Sequence, residues 1–264
     1  MPRRRLIPRN PGKAVLDAVG LTVGRVPSPE RIATTHPDLG GDEQFVRITE
    51  RVWPYTMTSI ERLWALYEAV RYVRGSGIEG AFVECGVWRG GSSMLSALTL
   101  QAESAADREL YLYDTFEGMS DPTEHDAGRH EPDLADEWDR FKGDTAHPVF
   151  AHASLDDVRA NMAATGYDAD RIHYVQGKVE DTIPATLPGS IALLRLDTDW
   201  YESTKHELEH LYPLLAPGGV LIIDDYGYWA GARRAVDEWL ETLPSPLLLT
   251  RVDDTARLAL KPFA

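Results

Sequence analysis

Four aspartates pose the chemical question in this 264-residue sequence. Asp197 and Asp199 stand at the end of the apolar run Ile191–Leu196, and Asp224 and Asp225 at the end of Val220–Ile223. If the two runs are neighbouring strands, all four carboxylates converge at one edge of a sheet. Like charges held that close are costly unless something positive sits between them. A hard divalent cation with oxygen ligands is the simplest partner. A carboxylate left free beside such an ion can take a proton. Any one Asp at a strand end can instead cap the next helix. It is the pairing at two strand ends that points to an ion.

A second constellation is the stretch FVECGVWRGGSSM, Phe82–Met94. Gly86 permits a tight turn, and Gly90 and Gly91 let backbone approach a ligand closely. Ser92 and Ser93 offer hydroxyls and a helix cap. The spacing departs from the dinucleotide pattern G-x-G-x-x-G, and Glu84 puts an acid where a phosphate site avoids one. An adenosyl ligand with an ammonium group and no phosphate suits this turn better. Asp114, at the end of the next strand, is placed to accept from ribose hydroxyls.

These residues need a sheet to hold them. Strand and helix alternate: strand Ala81–Cys85, helix Gly91–Gln101, strand Leu110–Tyr113, helix Leu155–Gly166, strand Ile172–Gln176, then the two acid-tipped strands with a helix between them closed by Pro217-Gly218-Gly219. A helix at Arg233–Thr242 and a strand pair, Leu247–Val252 with Ala256–Leu260, end the chain. This order predicts an α/β fold, an open doubly wound, mostly parallel sheet with an antiparallel closing strand. Ser59–Val73 reads as a helix with Ser59 as N-cap. Residues 1–50 are rich in proline and read as an irregular arm or cap, with a helical patch only near Ala14–Val19, ahead of the main domain at 51–264. Glu117–Thr145 reads as a long acidic loop of the active-site-lid kind. His125, His130, His147 and His152 lie in it or after it. Trp88, Trp200, Tyr201, Tyr226 and Trp229 lie beside the acids in sequence and suit either a sugar face or core packing.

The formal charge of −15 opposes nucleic-acid binding. One cysteine, Cys85, excludes an internal disulfide and suits a reducing cytoplasm. No apolar run reaches membrane-span length. Arg3-Arg4-Arg5 lacks the apolar segment of a signal peptide behind it.

Four segments, FVECGVWRGGSS, YLYDTFEGM, LLRLDTDWYEST and GGVLIIDDYGYW, in that order within roughly Tyr55–Leu260, resemble the macrocin O-methyltransferase family, which includes mycinamicin and novobiocin enzymes. The resemblance implies a Rossmann-like class I methyltransferase that uses S-adenosylmethionine and Mg²⁺ to methylate a hydroxyl, often on a deoxysugar. It assigns Thr58, Ser59, Glu84 and Gly86 to the methionine end of the cofactor, and Ser92 to the cofactor-binding position at the helix start. Asp114 takes the ribose, with Thr115 and Phe116 beside the adenosine, and Gly177, Lys178, Asp181 and Thr182 form the adenine-side turn. Asp197, Asp224 and Asp225 become the metal ligands and Asp199 the general base, a role that some members give to a metal-bound acid such as Asp197. The expected acceptor is a sugar hydroxyl and the expected assembly a homodimer. Three other readings stand beside this one: a phenolic or catechol acceptor, a nicotinamide-dependent oxidoreductase, and a non-catalytic module that retains the cofactor fold.

Overall fold

The computed structural model describes residues 29–126, 138, 140 and 151–263. A seven-stranded sheet runs through it. The strands are β1 Ala81–Cys85, β2 Leu110–Asp114, β3 Ile172–Gln176, β4 Ile191–Leu196, β5 Leu215–Ile223, β6 Thr250–Arg251 and β7 Arg257–Leu260. Their spatial order is β3-β2-β1-β4-β5-β7-β6. The first five are parallel, and β7 closes against β5 antiparallel, as expected.

The chain order reverses direction between β1 and β4, which makes their carboxyl ends the crevice of a doubly wound sheet. Register then decides what meets there. Cys85 pairs with both Tyr113 and Leu196, and Leu196 pairs with Ile223. The next residues along each strand, Gly86, Asp114, Asp197 and Asp224, therefore emerge side by side.

β1 and β4 are buried along their whole length, as central parallel strands covered on both faces must be. Alternate residues serve two cores. Phe82, Leu193 and Ile222 join the core under α2 Glu43–Val52, α3 Ile60–Gly75, α4 Gly91–Ala102 and α5 Leu155–Ala163. Val83, Leu194 and Ile223 join the one under α7 Tyr201–Leu211 and α8 Ala230–Thr242. Two short helices, α1 Pro29–Thr35 and α6 Val179–Thr182, complete the set.

Three expectations are corrected. Residues 29–52 are not irregular: they form α1 and α2. Asp42 caps α2 by accepting from the Phe45 N–H at 2.9 Å, and Phe45, Val46, Ile48 and Val52 are buried in the first core. The expected division at residue 50 thus falls inside α2. Pro217-Gly218-Gly219 does not close a helix but lies within β5. Pairing with β4 jumps from Leu215 to Val220, so Pro217 sits where no ladder needs its missing N–H. Gly218 donates to the Lys261 carbonyl instead, at 2.8 Å. Finally, Leu247–Leu249 does not join a strand. Leu248 follows Pro246 and is exposed, and only Thr250–Arg251 pairs with β7. The helical patch near Ala14–Val19 lies outside the described residues. Among those described, no helix is long and apolar enough to cross a membrane.

Candidate active site

One cleft lies along the carboxyl ends of the parallel strands. Its walls include Thr58, Glu84, Gly86, Ser92, Asp114, Thr115, Gly177, Lys178, Asp197, Asp199, Asp224 and Asp225. Twelve residues expected from the sequence therefore share one cavity. Ser59, Phe116, Asp181 and Thr182 do not line it. Ser59 instead caps α3 and donates to Asp253 at 2.8 Å. Phe116 is buried against Tyr174. Asp181 is exposed at the start of α6, and the Thr182 hydroxyl turns back to the Lys178 carbonyl at 3.0 Å.

The donor end is built on β1. Gly86 has φ 82°, and a Cβ there would stand 1.9 Å from the Asp197 carbonyl oxygen. No other residue fits so close to β4. Glu84 is buried, accepts from Arg195 at 2.7 Å and from the Ser93 hydroxyl, and is pushed up by burial in spite of them. Asp114 ties the turn together: one oxygen accepts from the N–H groups of Val87 and Trp88 at 2.7 and 3.0 Å, the other from Phe116 N–H at 2.7 Å. It still lines the cleft. Gly177, with φ 139°, donates to the Asp114 carbonyl at 3.0 Å and brings the β3 turn beside it.

The acid end is built on β4 and β5. Asp197, Asp199 and Asp225 each present an oxygen, and the three lie within 4.8 Å of one another. Asp224 is not in that group, and its oxygens are taken: one by Arg195 at 2.8 Å, the other by Arg62. Burial raises the Asp197 carboxyl well above the usual range, and Arg195 only partly opposes it. Burial and then the charge of Asp197 push Asp199 up to about 7. Burial, Asp199 and Asp224 raise Asp225 as well. Asp224 goes the other way, because Arg195 and Arg62 together outweigh its burial. Three clustered oxygens held at a proton-retaining potential fit a hard divalent cation, which replaces protons on its ligands when it binds.

Below this knot, Thr198 donates to Glu207 at 3.0 Å. That bond anchors the turn that puts Asp199 at φ 68°. Above it stand Trp200, Tyr228 and Trp229, with Trp138 against Trp200. Trp200 also donates to the Ser120 carbonyl at 2.9 Å, which holds residues 118–120 along the cleft. Tyr226 leans away and donates to Asp237. His125 meets Arg234 and the Tyr201 ring outside the cleft, and His152 is exposed. His130 and His147 lie outside the described residues.

Sequence reasoning missed Arg62, Arg195 and Asp253. Arg195 did leave a signal: a charged residue between Leu194 and Leu196, in a run that must be buried. Arg62 left none, since an arginine on a helix usually faces solvent.

The sheet and cleft are those of class I Rossmann-like O-methyltransferases. The O-methyltransferase NovP superposes with a TM-score of 0.69 at 31% identity, over 79% of this chain and 83% of that one. The macrocin O-methyltransferase (TylF) family model matches residues 33–258, and the chain belongs to that family. It is 39% identical, over 73% of its length and 71% of the relative's, to 8-demethyl-8-(2,3-dimethoxy-alpha-L-rhamnosyl)-tetracenomycin-C 4'-O-methyltransferase of Streptomyces olivaceus. It is 34% identical, over 70% of each, to mycinamicin III 3''-O-methyltransferase of Micromonospora griseorubida. The protein is an S-adenosylmethionine-dependent O-methyltransferase.

Proposed function

We propose that this enzyme methylates a hydroxyl of a saccharide or glycosylated natural product and needs Mg²⁺ to do so. The observation that carries the reading is one cleft with two ends: the Glu84–Asp114 turn, and the Asp197, Asp199 and Asp225 oxygens within 4.8 Å of each other. The names of the two curated relatives, a rhamnosyl 4'-O- and a mycinamicin 3''-O-methyltransferase, support a sugar acceptor.

S-adenosylmethionine supplies a methyl group already activated on a sulfonium, so the chain's task is chiefly positioning. Glu84 and Thr58 would hold the methionine end and Asp114 the ribose, with Thr115, Gly177 and Lys178 for the adenosine. Mg²⁺, when bound, acidifies and orients hydroxyl oxygens. Asp197 and Asp225 would hold it. Asp224 is the third carboxylate that the family resemblance assigns to the ion. Its oxygens are engaged by two guanidinium groups, so an ion must compete with an arginine for it. Asp199, in the same knot, is the group that takes the hydroxyl proton. The aromatic wall of Trp200, Tyr228 and Trp229 suits the apolar face of a sugar ring. A lone buried thiol at Cys85 and an acidic surface suit a cytoplasmic enzyme.

The test is a panel of free sugars, nucleotide sugars, glycosylated polyketides and catechols incubated with donor and Mg²⁺ and read by product mass. Methylation of a glycosyl hydroxyl is expected. Turnover confined to catechols would replace this reading with a phenolic acceptor.

A further inference from the structure

Arg195 has no place among the expected site residues, yet it touches both ends of the cleft. Its side chain is 4% exposed. An isolated guanidinium at that depth is expensive, but both terminal nitrogens of this one meet carboxylates. It donates to Glu84 at 2.7 Å and to Asp224 at 2.8 Å, and pairs with Asp197 at 2.8 Å. Strand register makes this possible, because Arg195 stands level with Glu84 on one side and Ile222 on the other. Arg62 extends the network. It bonds the second oxygen of Asp224, and its Nε reaches Asp253 at 2.9 Å. Four carboxylates, Glu84, Asp197, Asp224 and Asp253, thus share two guanidinium groups.

We propose that Arg195 is a positioning residue that couples the donor turn to the ion-binding acids, so that each end of the cleft feels the charge state of the other. The ion half of this inference rests on the Mg²⁺ reading above. The physical reason is the planar fork. A guanidinium fixes three carboxylates at once, which an ammonium on a flexible stem does not. It also divides one positive charge among them. Neutralising Glu84 leaves Arg195 balanced by Asp197 and Asp224 alone, where it competes harder with a cation for the same oxygens.

Three measurements test this on the whole enzyme: thermal unfolding, S-adenosylhomocysteine calorimetry in chelator, and Mn²⁺ binding by electron paramagnetic resonance without donor product. Arg195→Lys is expected to weaken S-adenosylhomocysteine roughly tenfold and Mn²⁺ about tenfold. Glu84→Gln, though outside the acid knot, is expected to weaken Mn²⁺ several-fold. An Arg195→Lys protein that unfolds earlier but binds both ligands as wild type does would overturn the proposal, reducing Arg195 to a structural residue. If Arg195→Lys does not fold, Glu84→Gln decides, and an unchanged Mn²⁺ affinity overturns the coupling. Should wild type bind no Mn²⁺, the Mg²⁺ reading fails by itself. The S-adenosylhomocysteine arm of Arg195→Lys then still decides whether Arg195 holds the donor turn.

Discussion

Asp199 carries two costs at once. Its backbone lies at φ 68°, a region that residues with a Cβ avoid, and burial beside Asp197 pushes its carboxyl up to about 7. Strain and a displaced pKa at one residue in a cleft are marks of function. A carboxyl whose folded value is raised binds its proton more tightly when folded, so it stabilises the fold at low pH and that contribution is lost as pH rises toward 7. Ion-free enzyme should therefore lose stability between about pH 4 and 7, on the order of 2 kcal/mol after discounting for water in the open cleft. Urea titrations in chelator would show it, and Asp199→Asn should remove part of the slope. A flat profile in wild type would contradict the assignment. With Mg²⁺ present, Asp199→Asn should lower kcat by about a hundredfold or more if it is the base. Much of this was legible beforehand: the four acids at two strand ends announced both a knot of charge and the need for something positive in it. What was not legible was that arginines supply part of that charge. Pairing of Arg62 with Asp224 joins residues far apart in the chain, and nothing in the spacing around Arg62 distinguishes it from a solvated helix residue.

At the scale of elements, two turns decide the site. The turn after β1 works only because Gly86 lets the chain pass the Asp197 carbonyl. Gly86→Ala would place a methyl group 1.9 Å from that oxygen in a left-handed conformation. It should cost about 2 kcal/mol or more of stability and weaken S-adenosylhomocysteine binding in calorimetry. Native affinity in the variant would mean the turn does not hold the donor. Strand positions were readable because each central strand is an apolar run that ends where function begins. The β1 and β4 bounds inferred from sequence coincide with those in the structure. Helices α1 and α2 were not readable, because prolines at 27, 29 and 37 suggested an irregular arm. Pro29 in fact starts α1, where its fixed φ is tolerated. Pro217-Gly218-Gly219 misled in the same way: turn residues mark a turn only when the neighbouring strand keeps step, and here the β4–β5 ladder skips past them.

For the whole molecule, topology turns a list of acids into an enzyme. The reversal between β1 and β4 sets the donor turn and the acid knot side by side, and antiparallel β7 brings Asp253 to Arg62 from the far end of the chain. Membership of the macrocin O-methyltransferase family and the fold agree on methyl transfer to oxygen. On the proposed reading, the acid knot works with a divalent ion. The direct measurement is turnover of an accepted glycoside, first in enzyme stripped with chelator and then after Mg²⁺ is restored. Methylation is expected to fall to background on stripping and to return with Mg²⁺, while Asp197→Asn stays inactive in both conditions. Undiminished methylation by the stripped enzyme, or by Asp197→Asn, would contradict it.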